Sequence, residues 1–324
     1  MKFVYLAIGA SIAEVANAAL YENTTSANHT CSIQTPYLSC STNANPGLVD
    51  SCCVETFGGL VMGTQFWDTY TGLESKGQLL PERSWTIHGL WPDFCNGSYT
   101  QYCDLSRQFD PDPSPNTTNS LPNGTVVPAY GGPDISPVFE AFGKRDLLEY
   151  MNKFWIAQGT PNWELWAHEF SKHATCFSTF DVACYGPQYR ENEDIIDFFE
   201  STIRYFKKQP TWEWLARWDI TPSNSTTYSF AEIRDALASE YGAVPYVGCS
   251  GPKYNDTKAG RGSSDNGGTV FNEVWYFSHV FGKPQYGDYV PTDVGSFATT
   301  CAKTPGAIRY PSRTNGSEWS RNKP

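Results

Sequence analysis

Beyond its first eighteen residues the sequence has no apolar stretch approaching the roughly twenty residues of a membrane-spanning helix. It has no Cys-x-x-Cys pair, which argues against a cytosolic metal cluster. Basic residues are scarce: 23 Lys and Arg against 34 Asp and Glu leave a formal charge of −11. That balance argues against a broad basic face for gripping nucleic acid. A polyanionic substrate would have to be held locally, and acidic pH would weaken the repulsion. There is no internal repeat. Histidine is rare as well, five in 324 residues, so the position of each one needs a reason.

Aromatics make up 15% of the chain, enough for a packed core and too many for overall disorder. The opening "MKFVYLAIGASIAEVANA" combines a Lys, a short apolar stretch and Ala16-Asn17-Ala18, the pattern of a signal peptide (1–18) cleaved after Ala18. All ten cysteines follow it, and an even count behind a leader predicts disulfides in a secreted chain. The adjacent Cys52 and Cys53 cannot bond each other without strain, so they should tie their segment to two distant places. Spacing alone leaves the pairing open. Asn-x-Ser/Thr sequons begin at Asn23, Asn28, Asn96, Asn116, Asn123, Asn224, Asn255 and Asn315, predicting a glycosylated surface.

Strand character marks Leu60–Asp68, Trp85–Trp91 and the run "FNEVWYFSHVFG". Helical spacing marks Val138–Ala157 and Glu193–Lys207, and a capping box at Ser229–Glu232 opens a helix stopping near Gly242. Irregularly spaced strands and helices predict an α+β fold, an antiparallel β-sheet packed with α-helices in one disulfide-stapled domain, residues 19–302. Residues 110–137, crowded with Pro, Asn, Thr, Ser and Gly, read as a surface loop insertion, and 303–324 as a loose basic tail.

The first informative histidine is His88, in "TIHGLWPD". Strand alternation puts Thr86, His88 and Leu90 on one face and Trp85 and Ile87 on the other. The second stretch, "WELWAHEFSKHATC", holds His168, Glu169, Lys172 and His173 within six residues. On a helix Glu169 and His173 share a face, and Lys172 joins them. A zincin needs His-Glu-x-x-His. The extra residue here turns the second imidazole by roughly 140° from the first, and a lysine among the ligands would repel a cation. A solvated Glu–Lys face is the ordinary alternative, but it leaves Trp163, Trp166, Phe170 and Cys176 around the charges unexplained. Two imidazoles, a carboxylate and an ammonium suit metal-free RNA cleavage. One group takes the 2′-hydroxyl proton, another protonates the leaving 5′-oxygen, and a cation steadies the phosphorane. The nucleophile belongs to the substrate, and no Ser or Cys nucleophile stands out. His29 lies in a sequon and His279 on an apolar strand face, so neither is assigned chemistry.

These two segments resemble the catalytic segments of the ribonuclease T2 family, and the similarity runs from about Cys31 to Cys301. The resemblance implies a T2-like α+β fold and a secreted (extracellular or vacuolar/lysosomal) endoribonuclease. It would act as a monomer on single-stranded RNA through a 2′,3′-cyclic phosphate, without cofactor or metal, leaving DNA and membranes alone. It implies His173 as base, His88 as acid, Glu169 and Lys172 as phosphorane stabilisers and His168 as a phosphate-positioning group. Trp91, Asp93 and Tyr99 match a first base pocket with a weak purine preference. Gln65 matches a contact in a second, whose remaining wall, near Ile156 to Gln158 and Leu165, departs from the family pattern. Phe170 and Ala174 replace the commoner Trp and Gly, without touching proton chemistry. The implied bridges are Cys31–Cys53, Cys40–Cys95, Cys52–Cys184, Cys103–Cys176 and Cys249–Cys301, each worth about 2–5 kcal/mol. Two rival readings remain: a metal-dependent phosphodiesterase, and a binding or signalling protein that no longer catalyses.

Overall fold

A computed structural model describes residues 31–319. The leader, Asn23, Asn28 and His29 lie outside the described residues. The chain runs β1 (Leu60–Phe66), β2 (Thr86–Asp93), α1 (Ser136–Ala141), α2 (Arg145–Phe154), α3 (Asn162–Lys172), α4 (Glu193–Lys207), α5 (Thr211–Arg217), β3 (Thr227–Tyr228), α6 (Phe230–Tyr241), β4 (Tyr246–Lys253), β5 (Gly268–Val280), β6 (Tyr289–Thr292) and β7 (Ile308–Arg309). The architecture is α+β. The long strand β5 is the axis of a seven-stranded sheet ordered β2-β1-β5-β7-β3, with β4 and β6 also pairing to β5. Pairing is antiparallel except where β7 meets β5 at Val270.

The helices form where apolar spacing and end signals agree. α4 spans the range its stripe predicts and buries Ile195, Ile196, Phe199 and Ile203. α6 opens on the Ser229–Glu232 capping box and ends at Gly242, in the left-handed conformation glycine tolerates. The single helix expected over Val138–Ala157 is instead two, because the chain turns at Gly143 (φ 69°) between α1 and α2. One core packs Val61, Ile87 and Leu90 of the sheet against Phe139, Met151, Trp166, Phe170 and Phe199 from α1 to α4. The other gathers Trp67, Trp85, Phe271 and Val274 with Leu215, Ile233 and Leu237 of α5 and α6.

The five disulfides pair Cys31 with Cys53, Cys40 with Cys95, Cys52 with Cys184, Cys103 with Cys176 and Cys249 with Cys301, the pattern implied by the resemblance. Asn96, Asn116, Asn123, Asn224 and Asn315 are exposed and Asn255 is half-buried.

The expected loose tail is a correction. Through Trp319 it docks on the fold, so the domain extends past residue 302. Ile308 and Tyr310 are fully buried, and β7 pairs with β3. The Arg313 guanidinium sits 4.1 Å over the Trp67 ring and donates to the carbonyls of Asp68, Pro81 and Ser84. Charge counting misses this because Ile308 and Tyr310 are buried between the basic residues and one of those, Arg313, is spent on a ring and carbonyls of the fold.

Candidate active site

The strand side is shaped by an irregularity. Thr64 of β1 pairs with Gly89 while the next residue, Gln65, pairs with Ile87, so His88 is an extra residue in β2. A bulge of this kind shifts the alternation by one. Ile87 and Leu90 therefore both enter the core, and His88 and Trp91, three apart, come together with ring centroids 4.6 Å apart. The expectation that His88 and Leu90 share a face is overturned by this bulge. The His88 ring stacks on Phe66 at 3.7 Å, and its carbonyl accepts from Trp155 Nε1 at 2.9 Å.

The helix side is the C-terminal turn of α3, with His173 capping it. Trp166, Ala167 and Phe170 anchor this helix in the core, so Glu169 is held fully buried against β2. Gly89 makes that approach possible: a Cβ there would overlap Glu169 Oε2 and crowd Trp91 Nε1 at 2.7 Å. The glycine in "TIHGLWPD" is thus the space occupied by a carboxylate 80 residues away.

Glu169 is the hub. His88 Nε2 lies 3.5 Å from its Oε1 and His173 Nε2 3.9 Å from its Oε2. Trp91 Nε1 donates to Oε2 at 2.7 Å, whereas Oε1 accepts no hydrogen bond. A buried carboxylate oxygen without a donor is costly and aims unspent acceptor capacity at His88. His173 stacks on the Trp91 ring at 4.9 Å. Burial, then the charges of Lys172, His168 and His88, push the His173 pKa well below the usual imidazole value, keeping it neutral and able to take a proton.

His168 is held from the loop. Its Nδ1 lies 2.7 Å from Asp110 Oδ2, which also accepts from the Tyr102 hydroxyl at 2.8 Å. Burial opposes it, but the bonds from His168 and from Tyr102 hold Asp110 below the ordinary aspartate range. On its other side, His168 Nε2 lies 3.4 Å from Lys172 Nζ. Lys172 donates to the Ser114 carbonyl at 2.8 Å, and burial lowers its pKa. Asp110 and Ser114 belong to the segment read from sequence as a mere surface insertion.

Phe66, Asp68, His88, Asp110, His168 and the Ile156–Gln158 and Leu165 wall line one cleft of about 460 Å³. Gln65 is not in it, a correction to its placement in the second base pocket. It lies on the opposite face of β1, fully buried, donating to the Gln209 carbonyl (2.8 Å) and accepting from Thr211 (2.8 Å). Of the residues expected in a first base pocket, Tyr99 is 57% exposed and Asp93 5% exposed, with its carboxyl pushed up to about 7 by burial. One face of Trp91 is already covered by His173.

His168, Glu169 and His173 offer ligand atoms within 4.8 Å of one another, spacing a metal could use. The Lys172 ammonium beside His168 opposes a cation there. Sequence reasoning missed Glu273, whose Oε1 lies 3.1 Å from His88 Nδ1, and Asp110. The signal for Glu273 was the one acid in a predominantly apolar strand.

With this geometry in view, the family model described as "Ribonuclease T2 family" matches residues 58–280. The chain is 36% identical to Ribonuclease Trv of Hypocrea rufa over 275 residues, covering 85% of this chain and 96% of that protein. It is 35% identical to Ribonuclease T2-like 1-A of Candida albicans over 285 residues, 88% of this chain but only 60% of that longer protein. It likewise spans 58% of a ribonuclease T2-like protein of Aspergillus fumigatus. The crystal structure of Actibind, a T2 ribonuclease, superposes with a TM-score of 0.65 at 31% identity, over 86% of this chain and 96% of that one. On sequence and fold together, this chain belongs to the ribonuclease T2 family.

Proposed function

We propose that the protein is a secreted, glycosylated endoribonuclease that cuts single-stranded RNA without a metal. His173 takes the proton from the ribose 2′-hydroxyl, O2′ bonds to phosphorus, and the bond to O5′ breaks as His88 protonates the departing oxygen. The 2′,3′-cyclic phosphate is then opened by water with the two imidazoles exchanging roles, leaving a 3′-phosphate. Lys172 and His168 supply positive charge and hydrogen bonds to the crowded phosphorane. DNA lacks the internal nucleophile and is inert.

The observation that carries this reading is the convergence of two imidazole Nε2 atoms on the two oxygens of one buried carboxylate. A single phosphate between them would meet a neutral base on one side and a proton donor on the other. The decisive experiment is digestion of mixed-sequence RNA at acidic pH in EDTA with end-group analysis. Cyclic-phosphate and then 3′-phosphate ends are expected. Loss of activity on chelation would favour the His168–Glu169–His173 trio as a metal site, and binding without turnover at any pH would favour a non-catalytic role.

A further inference from the structure

Nothing in the mechanism above uses Glu273, yet it lies against the proposed acid. β5 pairs Glu273 with Phe66, the residue whose ring stacks on His88, so both project from the same sheet face toward that imidazole. The carboxylate is 3.1 Å from His88 Nδ1, while Nε2 points the other way, to Glu169. Asp68 of the same cleft adds a third acid near the ring, partly countered by Arg313. The imidazole is thus fixed in plane by Phe66 and in rotation by Glu273.

We infer that Glu273 is a positioning residue for His88, accepting its Nδ1–H throughout the cycle so that only Nε2 exchanges the catalytic proton. The inference rests on the ribonuclease reading and deepens it. The proton balance follows directly. In the first step the doubly protonated ring passes Nε2–H to O5′ and is left neutral, with Nδ1–H still bonded to Glu273. Its Nε2 lone pair is then the base that takes the proton of the attacking water in the second step. Without the carboxylate, the neutral ring is free to place its proton on Nε2 or to rotate, and each alternative removes a competent donor or acceptor.

The test varies the leaving group. A dinucleoside phosphate has an alkoxide leaving group that needs a proton, whereas a nucleoside 3′-(4-nitrophenyl phosphate) expels a phenolate that does not. Glu273→Ala should lower kcat on the dinucleoside about 10- to 100-fold with KM nearly unchanged, and should cost the aryl substrate less than about threefold. Glu273→Gln, whose carbonyl oxygen can still accept from Nδ1, should recover much of the loss. Glu273→Asp withdraws the oxygen while keeping the charge, should behave like the Ala variant, and serves if that variant fails to fold. Equal losses on both substrates, or no loss on the dinucleoside, would overturn the inference while leaving the ribonuclease reading intact. His88→Ala is the control. If it too loses both substrates equally, His88 is not the acid, and the reading on which Glu273 depends falls with it.

Discussion

The two imidazoles at Glu169 keep opposite company. His88, on a strand, has carboxylates on both sides: Glu273 at Nδ1 and Glu169 at Nε2. His173, at a helix end, lies deeper, against Trp91 and near Lys172 and His168; burial first, then those neighbouring charges, pushes its pKa down. Burial and the neighbouring cations favour the unprotonated form of His173. Two identical side chains are thereby given different surroundings by the fold, which suits the separate tasks proposed for them.

The sharpest way to break this asymmetry is to remove either ring. His88→Phe or His173→Phe should lower the initial rate on a dinucleoside at least about 10²–10⁴-fold, measured at constant pH. Near-full activity in either variant would defeat the assigned roles. Next is Gly89→Ala, which leaves both rings and displaces the carboxylate between them. We expect about a 10²-fold loss of turnover and destabilisation of about 1–3 kcal/mol in denaturant unfolding, because the new Cβ and Glu169 cannot share the space.

Smaller effects sharpen the helix side. Asp110→Ala frees His168 and leaves the Tyr102 hydroxyl without its acceptor, so KM should rise about tenfold with a smaller change in kcat. His173 itself sets a pH signature. Its folded pKa is depressed, so the stability tied to its neutral form is full above the unfolded value near 6.5 and is lost as pH falls through the folded one. His173→Phe should therefore flatten the acid side of a Tm-against-pH curve. Asp93 has the opposite sign: its folded pKa is raised to about 7, so its contribution is lost as pH rises through that value. Asp93→Asn should gain about 1–2 kcal/mol over the native protein at pH 8 and little at pH 4 in thermal unfolding.

The site was legible where chemistry is local. Lys172 and His168 are four residues apart and Glu169 and His173 likewise, so helical geometry alone grouped them. α4 and α6 were legible for the same reason, through a continuous apolar stripe and a capping box. What stayed hidden depends on distant partners. Glu273 meets His88 across 185 residues. The bulge at His88 exists because β1 pairs with β2 in a particular register, which alternation within β2 cannot reveal. Gln65 carries the residue type expected of a base contact, but β1's pleat turns it toward Gln209 and Thr211. The C-terminal segment looked free by charge, and only the Trp67 ring and the carbonyls that receive Arg313 show why it is fastened.

By itself the sequence determined the chemical inventory: three imidazoles, a carboxylate and an ammonium in two short segments, and the helical phase that groups four of them. The tertiary structure decided which nitrogen of His88 and of His173 faces Glu169, which carboxylate lies behind His88, and which loop fastens His168. The physical reason is range. Helical phase is set by backbone geometry over one or two turns, whereas ring orientation and proton affinity are set by strand register and buried charges whose partners lie scores of residues away.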